Sequence, residues 1–77
     1  MSIRSRALRV INSVLRTSLV LDDQVSREAI LRWDSLKHLE ICFALEEEFS
    51  IELAEYDIEH MKSLDDIART VSDKGAP

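Results

Sequence analysis

Residues 33–49 read WDSLKHLEICFALEEEF and form the most informative stretch of this chain of 77 residues. Asp34 precedes a run without glycine or proline, and an aspartate in this place accepts hydrogen bonds from the free amide groups of a first helical turn. The stretch therefore predicts a helix over residues 35–49. Ser35 is then the first residue of that helix, with its hydroxyl group exposed.

Three further segments are predicted to be helical, and no segment shows the polar–apolar alternation of a strand. Ser63 and Asp66 have the spacing of a capping box at the start of the last helix. Besides 35–49, the predicted helices cover residues 2–17, 55–61 and 64–72. The chain is therefore predicted to be all-α: one domain, residues 1–77, folded as a small four-helix bundle with three longer helices and one short helix.

Apolar residues at helical spacing predict which faces of the helices form the core. The core-facing residues of the first helix are expected to be Ile3, Ala7, Val10, Ile11, Val14 and Leu15. The second helix is marked by Leu36, Leu39, Cys42, Phe43 and Leu45, and the last helix by Leu64, Ile67, Ala68 and Val71.

Length and composition exclude several classes of protein. A chain of 77 residues has room for one thin core but not for the enclosed cleft of an enzyme. The single cysteine can form no intramolecular disulfide, so a reducing compartment such as the cytoplasm is expected. No apolar run is long enough to span a bilayer. His38, Cys42 and His60 lack the further ligand of a closed zinc site, so no metal is expected.

The net charge of −5 is unevenly distributed along the chain. Residues 1–21 contain four arginines and no acid, whereas residues 22–77 contain all fifteen acids and six bases. The basic, serine-containing start resembles a mitochondrial presequence, but the same stretch is needed as the first helix of the bundle. The acidic remainder suits basic partner proteins and argues against nucleic acid, whose phosphates it would repel.

The triplet Asp34-Ser35-Leu36 at a helix start, followed by ALEEEF over residues 44–49, resembles the acyl carrier protein family. The resemblance extends from about Ile3 to Val71. In that family the serine hydroxyl of the triplet is esterified by 4'-phosphopantetheine, whose thiol carries acyl groups as thioesters. The resemblance implies a non-catalytic carrier whose attachment site is Ser35, flanked by Asp34 and Leu36.

The resemblance also implies partners and a place for the cargo. Acidic residues along the second helix of acyl carriers meet basic patches of phosphopantetheinyl transferases and of acyl-loading and acyl-transfer enzymes. The matching residues here are Glu40, Phe43, Glu46, Glu47 and Glu48, although an acidic run is also typical of a merely solvated face. Family members shelter acyl chains between the second and third helices, and a monomer is expected.

Departures from the family pattern affect the predicted pathway. Arg32 stands where glycine is common in the family, and Trp33, Lys37 and His38 are also unusual. With these residues, the sequence is more similar to stand-alone carriers of specialised pathways than to the fatty-acid carrier. Fatty acid, polysaccharide and secondary metabolite biosynthesis all remain open. The alternative is a small helical interaction module that is never modified and binds a basic partner. A hydrolase using Ser35, His38 and Asp34 is disfavoured, since nothing supplies oxyanion donors.

Overall fold

The computed structural model describes residues 2–75 and contains four helices in this range. They are α1 (Ile3–Leu15), α2 (Ser35–Phe49), α3 (Glu55–His60) and α4 (Leu64–Asp73). The described residues form no strand, only an isolated antiparallel bridge between Ser26 and Ser63. The predicted all-α, four-helix fold is confirmed, while residues 1, 76 and 77 of the predicted domain lie outside the described part.

Local capping fixes where the helices begin and end. The Ser63 hydroxyl accepts a hydrogen bond from the Asp66 amide at 3.2 Å, while the Asp66 carboxylate accepts from the Lys62 amide at 3.0 Å. Only the first half of the predicted capping box is therefore present. The first helix ends before the predicted residue 17 because Arg16 adopts a left-handed conformation, with φ of 57°.

Helix α1 packs against both α2 and α4, and the core lies between these helices. The buried residues of α1 and α4 include most of those predicted, together with Leu8. The apolar residues that mark α2 divide between a buried and an exposed side. Its buried residues are His38, Ile41, Cys42, Leu45 and Phe49, whereas Leu36, Leu39 and Phe43 are exposed.

This division follows from the broad apolar coverage of α2, which carries apolar residues on two faces. One helix face can pack against α1, and the set 38, 41, 42, 45 and 49 has the regular three-and-four spacing of a single stripe. The other apolar set lies on the solvent side. A histidine occupies the core stripe, and Phe43, which the family resemblance assigns to partner contact, lies on the solvent side.

The long connection between α1 and α2 is held to the helices at several points. Its backbone pairs with the start of α4 through Arg27 N–H to the Lys62 carbonyl and Leu64 N–H to the Val25 carbonyl, both 2.9 Å. Arg32 donates to the carbonyl of Arg16 at 3.1 Å, at the end of α1. These hydrogen bonds therefore fix the position of the segment that leads into Ser35. Of the helices within residues 2–75, none has the length and apolar character needed to cross a bilayer.

Candidate attachment site and docking face

The start of α2 presents Ser35 at its first position. Asp34 is the N-cap, with an extended backbone, and its carboxylate accepts a hydrogen bond from the Lys37 amide at 2.9 Å. Ser35 and Leu36 are both exposed. The free amide groups of a helix start favour a nearby anion, and the Ser35 hydroxyl lies at such a start and is open to solvent.

Directly before Asp34, the buried Trp33 side chain is tied to α2 and α3 through one histidine. Trp33 Nε1–H donates to His38 Nδ1 at 3.0 Å, and His38 Nε2 lies 2.7 Å from the Ile58 carbonyl oxygen. An indole N–H can only donate, so His38 Nδ1 must be unprotonated and Nε2 carries the proton. We call Trp33, His38 and the Ile58 carbonyl the histidine relay. It requires a neutral imidazole.

The electrostatic surroundings of His38 favour the same neutral state. Burial lowers the pKa of His38 below its usual value, the Ile58 carbonyl opposes this shift, and the nearby Arg27 charge lowers the pKa further. Cys42 Sγ lies 3.8 Å from His38 Nε2. Burial, assisted by Glu46, raises the pKa of the Cys42 thiol to about 11, so it stays protonated at neutral pH.

The histidine relay predicts that the protein loses stability as the pH falls below about 6.5, the ordinary value for histidine. Below that pH the unfolded chain takes up a proton at His38 while the folded chain resists it, since the folded pKa is lower. The contribution of His38 to stability is therefore fully present above pH 6.5. It declines as the pH falls, until the pKa of His38 in the folded chain is reached. Urea unfolding measured at intervals between pH 7.5 and pH 5 gives this slope.

The chain has two histidines, which supplies a matched control. His60 is exposed and stacks on Tyr56, with 4.0 Å between ring centroids. His38→Gln should lower stability at pH 7.5 and remove most of the slope, whereas His60→Gln should retain the slope of the wild type. An unchanged slope in His38→Gln contradicts the relay.

The solvent side of α2 combines apolar and acidic side chains. Its members fall at helical spacing on one face and are all exposed: Leu36, Leu39, Glu40, Phe43 and Glu47. We call this set the docking face. Phe43 is 61% exposed, which is unusual for a large aromatic side chain and is typical of a contact site.

Three glutamates with a predicted partner role have contacts within the molecule. The Glu46 carboxylate is half-buried and accepts a hydrogen bond from the Leu53 amide at 2.8 Å. Glu48 accepts from Arg6 Nε at 3.0 Å, and the Arg6 guanidinium also lies 4.5 Å from the centroid of the Phe49 ring. The Glu40 carboxylate lies 3.4 Å from Lys37 Nζ, and Glu40 and Glu47 are both exposed.

Sequence reasoning missed the histidine relay, although one of its signals was available. His38 stands three and four residues before Ile41 and Cys42, so helical spacing places it on the same face as these two apolar residues. Its bonds to Trp33 and Ile58 had no such signal. The described residues contain no group of three side chains that could hold a metal ion.

The structure is similar to the solution NMR structure of a holo acyl carrier protein from Geobacter metallireducens. The TM-score is 0.82 at 24% sequence identity, and the match covers 96% of this chain and 86% of that chain. This chain therefore has the acyl carrier protein fold. No protein-family model matches the chain, and no curated protein sequence matches it significantly.

Proposed function

We propose that this protein is an acyl carrier that holds acyl intermediates as thioesters on a 4'-phosphopantetheine arm attached to Ser35. One observation carries the proposal: in a chain with the acyl carrier fold, an exposed serine opens α2 directly after a capping aspartate. The experiment is an incubation with coenzyme A and a phosphopantetheinyl transferase, followed by intact mass. A gain of one phosphopantetheine is expected.

The residues around Ser35 fit such an arm and do not fit a catalytic centre. Ser35 Oγ would supply the ester oxygen, and an exposed anion at a helix start is favoured by about 0.3–1 kcal/mol. The arm, once attached, supplies a thiol for thioester formation. Both ring nitrogens of His38 are engaged in the histidine relay, so this imidazole is not available to activate Ser35. The acyl-transfer chemistry belongs to the partner enzymes.

The docking face would bind those partners, the transferase and the acyl-loading and acyl-transfer enzymes, through their basic patches. Leu36 and Phe43 provide apolar contacts next to Ser35, and Glu40 and Glu47 provide charge. Such charges raise the rate of encounter more than they add affinity, which suits a carrier that must leave each enzyme quickly. The carrier would act as a monomer in the cytoplasm, where its single, buried thiol stays reduced.

Charge reversal on the docking face should slow modification. We expect Glu47→Lys to lower the rate of loading by the transferase, by up to about tenfold at low salt, because it repels a basic patch. The salt dependence of the rate should fall with it. Asp73→Lys makes the same charge change at an exposed position on α4 and should leave the rate near that of the wild type. Equal slowing in both variants would show that only net charge matters.

The alternative function, an unmodified interaction module, shares the docking face but not the use of Ser35. It predicts no gain of mass with the transferase and unchanged partner binding after loss of the Ser35 hydroxyl. Within the carrier proposal, the unusual Trp33 and His38 favour a specialised pathway. The histidine relay makes these two residues a pair, so their joint presence next to Ser35 supports a carrier distinct from a fatty-acid carrier.

A further inference from the structure

A groove lies on the side of Trp33 toward the start of α4. It is lined by the loop before α2 and by the residues that pair with this loop, and its lining consists of Gln24, Ser26, Arg27, Glu28, Trp33, Lys62 and Ser63. The Arg27 amide donates to the Lys62 carbonyl at 2.9 Å, so the two basic residues are adjacent. We call this the basic groove. It has two cations and one acid in a chain whose net charge is −5.

The basic side chains of this groove are not used by the fold. Within residues 2–75, no hydrogen bond or ion pair engages the Arg27 guanidinium or the Lys62 ammonium group. Arg27 is nevertheless half-buried, and its charge acts on His38 and Cys42 in the interior. A partly desolvated guanidinium without an anion is unfavourable, so a bound anion would stabilise it.

Hydroxyl groups in the groove add directional donors. Ser26 Oγ accepts from the Ala29 amide and Ser63 Oγ from the Asp66 amide, both at 3.2 Å. Each hydroxyl group uses an oxygen lone pair in this bond and keeps its O–H as a donor. Two O–H donors beside a planar, forked guanidinium match the geometry of a carboxylate. Glu28 is exposed. Its single negative charge does not cancel the two positive charges of Arg27 and Lys62, so the lining has a net positive charge.

We infer that the basic groove binds the terminal carboxylate of an acyl group carried on the Ser35 arm, with Arg27 and Lys62 as its charge partners. This inference rests on the proposed function and names a cargo class, short acyl chains that end in a carboxylate. Trp33 lines the groove and is two residues from Ser35, which places their Cα atoms within about 7 Å. The far end of a flexible arm can therefore return to the groove.

The phosphodiester of the arm is the other anion near this groove. It is fixed to Ser35 Oγ by one ester bond, and Ser35 does not line the groove. The free end of the cargo has no such restriction. The groove between α1 and α2 is a poorer candidate for the carboxylate, because its Arg6 already binds Glu48 at 3.0 Å and two glutamates line it.

Two cargoes of equal length test the inference. The apo-protein is loaded by a broad-specificity phosphopantetheinyl transferase from succinyl-coenzyme A or butyryl-coenzyme A, which differ in the terminal carboxylate. Intact mass first verifies one acyl-phosphopantetheine per chain. The indole N–H signal of Trp33, the single tryptophan, is then followed by ¹⁵N NMR. We expect the succinyl form to shift this signal and the Arg27 Nε–H signal relative to the butyryl form, and to melt at a higher temperature.

Variants locate the effect. Arg27→Gln should abolish the difference between the two forms at Trp33, Arg27→Lys should retain part of it, and Arg16→Gln, an exposed arginine outside the groove, should retain all of it. Identical spectra for the two cargoes in the wild type overturn the inference, as does a difference that survives Arg27→Gln. If attachment of the bare phosphopantetheine arm already shifts the Arg27 Nε–H signal relative to the apo-protein, the groove binds the phosphodiester. This result also overturns the inference. Absence of any mass gain refutes the attachment site itself, and the inference with it.

Discussion

Ser35→Ala is expected to abolish attachment of the phosphopantetheine arm, while the wild type gains one arm per chain. The physical reason is that the ester needs the Ser35 oxygen, and no neighbouring hydroxyl can replace it at the start of α2. Asp34 caps the helix through its own carboxylate, which the substitution leaves in place. The variant should therefore fold as the wild type does. Intact mass after incubation with coenzyme A and the transferase measures the result.

Ser72→Ala is the matched control for this experiment. Ser72 is exposed and helical, but it lies near the end of α4, and its replacement should leave the gain of mass unchanged. Circular dichroism of both variants verifies that the helices remain. A full gain of mass in Ser35→Ala would refute Ser35 as the attachment site, and a failure of the wild type to gain mass would favour the unmodified interaction module.

Ile41→Ala is expected to have the largest effect on stability. Ile41 is fully buried on the core stripe of α2, and truncating such a side chain costs about 2–5 kcal/mol through lost burial and the remaining cavity. A domain of this size has a total stability of roughly 4–12 kcal/mol. The variant should therefore lose a large part of its free energy of unfolding, as measured by urea denaturation.

Phe43→Ala, two residues further along α2, is the contrasting variant. Phe43 is exposed, so its removal should change stability by no more than about 0.5 kcal/mol. If Phe43 is a central contact of the docking face, loading by the transferase should slow by about tenfold, the equivalent of 1.4 kcal/mol. A stable Ile41→Ala together with an unstable Phe43→Ala would mean that the core face of α2 is assigned the wrong way round.

The sequence by itself determined the features that depend on neighbouring residues. Asp34 caps α2, Ser63 caps α4, and Ser35 opens a helix, because each of these depends on a side chain and an amide group within one helical turn. The order and number of the helices follow from the same local signals. The position of Ser35 at a helix start could therefore be predicted, and its role as attachment site stays a prediction.

Only the tertiary structure decided which face of α2 is buried and what the charged side chains do. Helix α2 has apolar residues on two sides, and the packing of α1 chooses between them, burying His38 and exposing Phe43. Arg32 likewise contacts Arg16, which lies 16 residues earlier at the end of α1. Arg27 contacts Lys62, which lies 35 residues later in the chain. Contacts of this kind depend on the packing of distant segments, for which local spacing contains no signal. The helix starts, including the one at Ser35, are therefore local properties of this sequence, while the histidine relay and the basic groove exist only once the segments are packed together.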